Sequence, residues 1–399
     1  MALFVLGAGA TRACSFVEPK KHPCIPPLDA DFFTQLQRVR NPKHQPLIKQ
    51  VMADVVRLFG HNFRATLETM FATVEHTLRM LDTTGAGRAF SKDDLKRVRG
   101  DLLAAIAVAM EEALMVPGDH GTSKREPRIC EHHQKFVEKV LVAPDDAVVS
   151  FNYDCVIDDA LKRFGDGKWN PRYGYALPLG ARGKRMTGDG DWQSAKPAAQ
   201  KQTLHLYKLH GSLHFQVDAK DPPSVHLKKL PYTKLKGTPK FTIIPPESNK
   251  AYDKGVFREL WKKAALAIGR ATEMAFIGYS LPLTDLHATA LFRTSVKPGA
   301  LRALVVVNPD REARRRTREV LQRGLSVDTR VLSFDSFAEF LALDPSVWRQ
   351  PAVGTKPPSP RGNGKGPGAG EPAEGDVEGR APLEPSAGHG RAPGEGAGA

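Results

Sequence analysis

Cysteine is scarce in this chain. Four occur in 399 residues, Cys14, Cys24, Cys130 and Cys155, and no two stand in a C-x-x-C spacing. That excludes a disulfide framework and a zinc ribbon as the basis of the fold, so the thiols are expected to be reduced and mostly buried. No apolar run is long enough to cross a bilayer. The first residues, Met1-Ala-Leu-Phe-Val-Leu-Gly, have no basic n-region and no small-residue cleavage site, so export is not expected and a cytoplasmic protein is. Aromatic residues are missing altogether from Pro351 to Ala399, a stretch holding 13 Gly and 9 Pro. Such a segment buries too little apolar surface to offset its chain entropy and is expected to be a disordered tail. It carries five basic and six acidic residues, which leaves the remainder of the chain at +15 out of a total of +14.

What is present suits a large α/β domain. Hydrophobic residues make up 41% and charged residues 26%, ordinary for a globular protein, and 399 residues exceed what one small core needs. Strands are expected at 2–6, 147–151, 204–209, 241–244, 274–279, 303–307 and 327–334. Helices are expected at 155–164, 253–271, 283–296, 310–322 and 335–341. This alternation predicts a Rossmann-like, doubly wound, mostly parallel sheet with its ligand outside the carboxyl ends of the strands. Between Leu47 and Leu141 the apolar residues recur at helical spacing, as in Val51, Val55, Leu58 and Leu102, Ile106, Met110, which marks a helical module inserted over 40–142 in a domain spanning 1–345. The Gly-rich, basic segment 165–202 has no period and is expected to be a loop or lid.

Five strand ends carry residues suited to chemistry. Gly7-Ala8-Gly9 follows the first strand, where glycines let backbone N–H groups approach a pyrophosphate at a helix N-terminus; the alternative is a tight turn. Arg12 stands where a dinucleotide fingerprint has Gly or Ala, and the nearby acids Asp29 and Asp31 lie in or beside a Pro-rich turn, so the dehydrogenase pattern is not met. Asn152 and Asp154, two apart in Ser150-Phe-Asn-Tyr-Asp, point to one side of an extended chain and could meet one ligand; the alternative is helix capping. His210 in Leu209-His-Gly suits a general base or a partner for a sugar hydroxyl, against a satisfied buried histidine. His210 and His214 have helical rather than strand spacing for metal ligands, and no metal site is expected. Gly278 and Ser280, and Asn308 in Val307-Asn-Pro, complete the set as phosphate and ribose contacts or as ordinary turn residues.

Taken in order, Gly-Ala-Gly-Ala-Thr, Asn-Tyr-Asp, Leu-His-Gly, Gly-Tyr-Ser-Leu and Val-Asn-Pro resemble the motifs of the sirtuin fold, specifically its bacterial SIR2-like branch, over roughly Met1 to Ser333. The resemblance implies NAD as substrate. Gly7, Ala8 and Gly9 would cradle its phosphates, with Thr11 where Ser or Thr is usual. Asn152 would bind the ribose hydroxyls and position water, Asp154 would hold the carboxamide or its loop, and His210 would act as base. Gly278 and Ser280 would line the phosphates and Asn308 the adenosine ribose. Protein deacylases of this fold carry a four-cysteine zinc module after the catalytic histidine, but no cysteine follows Cys155 here, so zinc is not expected. That departure, with the helical block, resembles the NAD hydrolases of bacterial anti-phage defence.

The activity this implies is cleavage of the nicotinamide–ribose bond. Two rivals share the fold: an NAD-dependent protein deacylase, and a non-catalytic sensor of NAD or ADP-ribose. A nucleic-acid binder using the basic body ranks last, because no nucleic-acid module is present. Control by a closing lid, by homo-oligomers built through the helical block, or by a separately encoded defence partner all fit the sequence.

Overall fold

Ala2–Leu6 is an unbroken apolar run, and all five residues are buried as strand β1, as expected of a strand covered on both faces. The computed structural model describes residues 1–84, 90–117, 125–180, 188–218, 223–229, 241–245 and 255–349, all within one unit, Met1–Val353. The tail expected over 351–399 lies outside the described residues.

From β1 the chain turns directly into α1 (Ala8–Arg12) and then into a helical block of α2 (Phe32–Gln37), α3 (Gln45–Phe59), α4 (Leu67–Thr84) and α5 (Lys92–Leu114). A short hairpin, β2 (Met115–Pro117) with β3 (Arg125–Pro127), and α6 (Glu131–Lys135) lead to β4 (Ala147–Ser150). Next come α7 (Val156–Phe164), the single turns α8 (Pro171–Gly174) and α9 (Asp189–Trp192), and β5 (His205–Lys208). Four short strands follow: β6 (Gly211–Ser212), β7 (Phe215–Asp218), β8 (Ser224–Leu227) and β9 (Thr242–Ile243). The rest alternates regularly: α10 (Gly255–Arg270), β10 (Glu273–Ile277), α11 (Leu286–Ser295), β11 (Ala303–Val307), α12 (Arg311–Leu321), β12 (Arg330–Phe334), α13 (Phe337–Ala342) and α14 (Pro345–Arg349).

Six strands form one parallel sheet in the order β12-β11-β10-β1-β4-β5. The chain builds one wing outward from β1 through β4 to β5, then returns to the other side of β1 for β10, β11 and β12. The order reverses between β1 and β10, and a crevice forms at such a point outside the carboxyl ends of the strands. The doubly wound α/β class read from the sequence is therefore present. Helices pack into two groups, α10 with α11 and α12, and α6 with α7 and α13.

In the helical block α5 packs against α2, α3 and α4. Its start is fixed by a capping box, in which Ser91 Oγ accepts from Asp94 N–H and Asp94 accepts from Ser91 N–H. Arg97 then reaches across to Asp54 of α3 with two bonds of 2.8 Å. The block also meets the sheet side of the molecule, where Thr284 Oγ1 donates to Glu68 Oε2 at 2.7 Å.

Two expectations fail. The strand read at 241–244 does not join the main sheet; Thr242–Ile243 pairs antiparallel with Gly211–Ser212. The cause is Gly211, whose φ of +76° turns the chain off the end of β5, and a side chain there would strike the Thr242 carbonyl at 2.4 Å. The described part of 165–202 is not a loose lid either. Trp169 and Tyr175 are fully buried and meet edge to face at 5.0 Å, and Trp192 is buried too, so aromatic packing replaces the missing periodicity. Residues 181–187 of that segment lie outside the described residues. The β7–β8 hairpin was not expected from the sequence.

Candidate functional site

The parallel register brings the ends of four neighbouring strands side by side: Leu6, Ser150, Lys208 and Ile277 end β1, β4, β5 and β10. The residues that follow them therefore gather at one sheet edge.

Asn152 is 8% exposed, and its Nδ2 donates to the Gly7 carbonyl (2.9 Å) and to Thr11 Oγ1 (3.0 Å). Both amide hydrogens are thus engaged, which fixes the carboxamide and leaves Oδ1 as the atom able to accept from a ligand. Thr11 Oγ1 passes the chain on by donating to Asp154 Oδ2 at 2.7 Å. The other oxygen of Asp154 accepts from Val156 N–H at 3.0 Å, the turn-capping use considered for it in the sequence. Thr11, Asn152 and Asp154 are one buried relay between the first turn and the β4–α7 turn, and Asp154 acts in it by holding Thr11.

The glycines owe their place to close packing. Gly7 N–H donates to the Ile277 carbonyl at 3.0 Å and Gly9 N–H to the Gly278 carbonyl at 2.9 Å. A Cβ on Gly7 would lie 2.5 Å from Tyr279 Cα, and one on Gly278, whose φ is +63°, would lie 2.1 Å from Ala10 N. Ala8 is the exposed residue of the turn. Gly278→Ala is expected to cost more than the about 1–3 kcal/mol of backbone strain alone, since the two turns must also separate. A thermal melt within experimental error of the wild type would show that the turns part freely.

His210 follows β5 by two residues. It is 6% exposed, and its Nε2 lies 3.5 Å from Asp285 Oδ2, which also accepts from Tyr279 OH at 2.8 Å. Phe151 meets the His210 ring edge-on at 5.0 Å and stacks on Tyr279 at 4.1 Å. The imidazole therefore has an orienting carboxylate and an aromatic wall, the arrangement a general base requires. Phe151, Tyr279 and Asp285 join the neighbourhood of Asn152 to that of His210. Ser280 lies near the β10 end and its carbonyl accepts from Arg316. Asn308 is more remote: it follows β11, its Oδ1 accepts from Asp310 N–H at 3.0 Å, and its carbonyl accepts from Arg314, so it serves its own turn.

Behind His210 lies a buried network that the sequence did not suggest. Lys208, fully buried, bonds Asp158 Oδ2 at 2.8 Å and the Asp154 carbonyl, and Tyr175 OH donates to Asp158 Oδ1 at 2.5 Å. Burial pushes the Asp158 carboxyl up, but Lys208 and His214 outweigh it and hold the group below its usual range. For Lys208 burial is the largest influence and pulls down, but Asp158, Cys155 and Asp154 together outweigh it and hold the ammonium above its usual range, so the pair stays ionised. His214 completes the network, with Nδ1 2.8 Å from Ser212 Oγ and 3.0 Å from Cys155 Sγ.

Burial pushes the His214 imidazole from 6.5 down to about 3. The unfolded chain then takes up a proton at this position below pH 6.5 and the folded chain does not. Stability is therefore lost as pH falls from about 6.5 toward 3. His44 and His205, also lowered by burial, act in the same direction. Denaturation midpoints measured between pH 7 and 4.5 should fall less steeply for His214→Gln than for wild type; equal slopes would mean that His214 is charged in the fold.

No curated protein matches the chain. Among solved structures it is similar to a Sir2 enzyme, at 11% identity over 86% of this chain and 88% of that one with a TM-score of 0.36. It is also similar to a Sir2 bound to a p53 peptide and NAD+, at 12% identity over 86% and 90% with a TM-score of 0.31. Residues 146–327 match the family model of the SIR2-like domain, a span that includes Asn152, Asp154, His210, Gly278, Ser280 and Asn308 but not the first turn.

Proposed function

We propose that this chain hydrolyses NAD+ at the nicotinamide–ribose bond, giving nicotinamide and ADP-ribose. The observation that carries this reading is the fixed carboxamide of Asn152 and the carboxylate-oriented imidazole of His210, set on the ends of adjacent strands and linked through Phe151, Tyr279 and Asp285. The SIR2-like match over 146–327 points to the same chemistry.

Breaking this bond develops positive charge on the ribose carbon while nicotinamide leaves neutral, so the protein must orient the sugar and place a water. Asn152 Oδ1 is the acceptor for a ribose hydroxyl or the attacking water, and His210 takes the proton. Asp154, through Thr11, and Asp285 are positioning residues for these two. The phosphates would lie along the turn at Ala8 and the loop at Ser280. The domain we assign to this reaction spans 1–345, with 40–142 as its inserted helical module.

The biological role we propose is anti-phage defence by NAD depletion in the cytoplasm. Two sequence features support it: the helical block, and the lack of any cysteine beyond Cys155 for a four-cysteine module. Incubating the purified full chain with NAD+ at low and high protein concentration, and quantifying nicotinamide and ADP-ribose over time, tests the reaction. Product that forms only when an acylated peptide is added would identify a deacylase. Binding without product would identify a sensor.

A further inference from the structure

No two of the four cysteines stand in a C-x-x-C spacing in the sequence. The fold brings two of them together with a histidine. Cys14 lies two residues beyond α1, Cys130 caps the start of α6 and His133 lies within α6. Their three donor atoms all fall within 4.8 Å of one another, and the residues are 3%, 5% and 1% exposed. Cys130 Sγ is 3.1 Å and Cys14 Sγ 3.9 Å from His133 Nδ1.

We propose that Cys14, Cys130 and His133 bind a thiophilic metal ion, with zinc(II) as the reference ion. Zinc–sulfur and zinc–nitrogen bonds of about 2.3 and 2.0–2.1 Å in a tetrahedron set neighbouring donors about 3.5–3.8 Å apart. The two sulfur–nitrogen distances bracket that value, so a shift of a few tenths of an ångström suffices. The charges also balance: two thiolates and one divalent cation form a neutral set, which a buried position accommodates far better than one unpaired thiolate. Sulfur and imidazole donors select zinc or copper(I) over magnesium or calcium. Three protein donors leave a fourth position of the tetrahedron for water.

The surroundings already hold these donors in place. Glu131 N–H donates to Ser15 Oγ at 2.9 Å, His132 Nδ1 lies 2.8 Å from the Ala13 carbonyl, and Phe337 meets the His133 ring edge-on at 5.4 Å. An ion here clamps residues 13–15 to α6. It therefore fixes the segment that emerges from the first turn without entering the reaction.

The test uses the full chain purified from zinc-supplemented cells without chelator. Elemental analysis should find about one zinc per chain, retained in Cys24→Ser and reduced about tenfold or more in Cys14→Ser, Cys130→Ser and His133→Ala. Should those variants fail to fold, the wild type decides alone: stripped and reloaded with cobalt(II), it should show thiolate-to-cobalt charge transfer and tetrahedral ligand-field bands. Wild type that takes up neither ion overturns the proposal, as does a Cys14–Cys130 disulfide in metal-free protein. These readouts do not depend on NAD+ cleavage, so failure of the metal site and failure of the proposed activity can be told apart.

Discussion

Nicotinamide release from NAD+ should fall by about 10²–10³-fold in Asn152→Ala, the scale seen when one preorganised polar contact to a transition state is removed. The fall should be about 10²–10⁴-fold in His210→Ala, the range for a general base. The structure makes the first of these a clean test. Asn152 donates to the Gly7 carbonyl and to Thr11 Oγ1, and neither partner is stranded by its loss: Ala10 N–H still donates to the Gly7 carbonyl at 2.9 Å, and Thr11 still donates to Asp154. The cost to folding is about 0.5–1.5 kcal/mol per bond, small beside the expected loss of rate. Circular dichroism and melting curves establish that the variants are folded, and liquid chromatography counts product. Turnover at the wild-type rate in both would refute the assignment.

The second large effect concerns Lys208. Removing one member of a fully buried ion pair leaves the other charged without compensation, at a cost of about 3–5 kcal/mol. Lys208→Met should show this in urea denaturation, because among the described residues Asp158 would keep Tyr175 OH and, at 3.7 Å, His214 Nε2 as its side-chain partners in a buried position. Replacing both charges, as in Lys208→Met with Asp158→Asn, should recover much of that stability, since the penalty belongs to the unpaired charge rather than to the loss of the bond. Lys208 is also two residues from His210, so the single variant should lose activity more than its folded fraction explains. A single variant less than about 1 kcal/mol below wild type would mean that water or a shifted side chain reaches Asp158.

The sheet was legible where its strands are buried on both faces and read as apolar runs: Ala2–Leu6 and Ala303–Val307 fall where the composition put them. Segments whose burial depends on a few aromatics were not. Trp169, Tyr175 and Trp192 fill space without any repeat in the sequence, and the β7–β8 hairpin offers only Phe215, Val225 and Leu227 as buried apolar residues. At the site, the residue types at strand ends could be picked out, but their bonding could not. Asn152 finds Thr11, and Cys130 finds Cys14, only because β4 pairs with β1 and α6 packs nearby. A lysine at a strand end reads as a solvated residue, and nothing local marked Lys208 as the buried cation of the structure. Asp285 could have been flagged as the cap of the helix it precedes, a role it has through Ala288 N–H, but its reach to His210 has no sequence signature.

The place of β1 has a consequence for how the polypeptide acquires its structure. Its neighbours in the sheet begin at residues 147 and 273, so β1 is synthesised long before the strands it pairs with. Closing such long loops before any native pairing rewards it slows folding, and a waiting apolar strand is open to wrong association. Refolding from denaturant should therefore be slow and sensitive to protein concentration, and chaperones that shield a nascent chain should raise the yield.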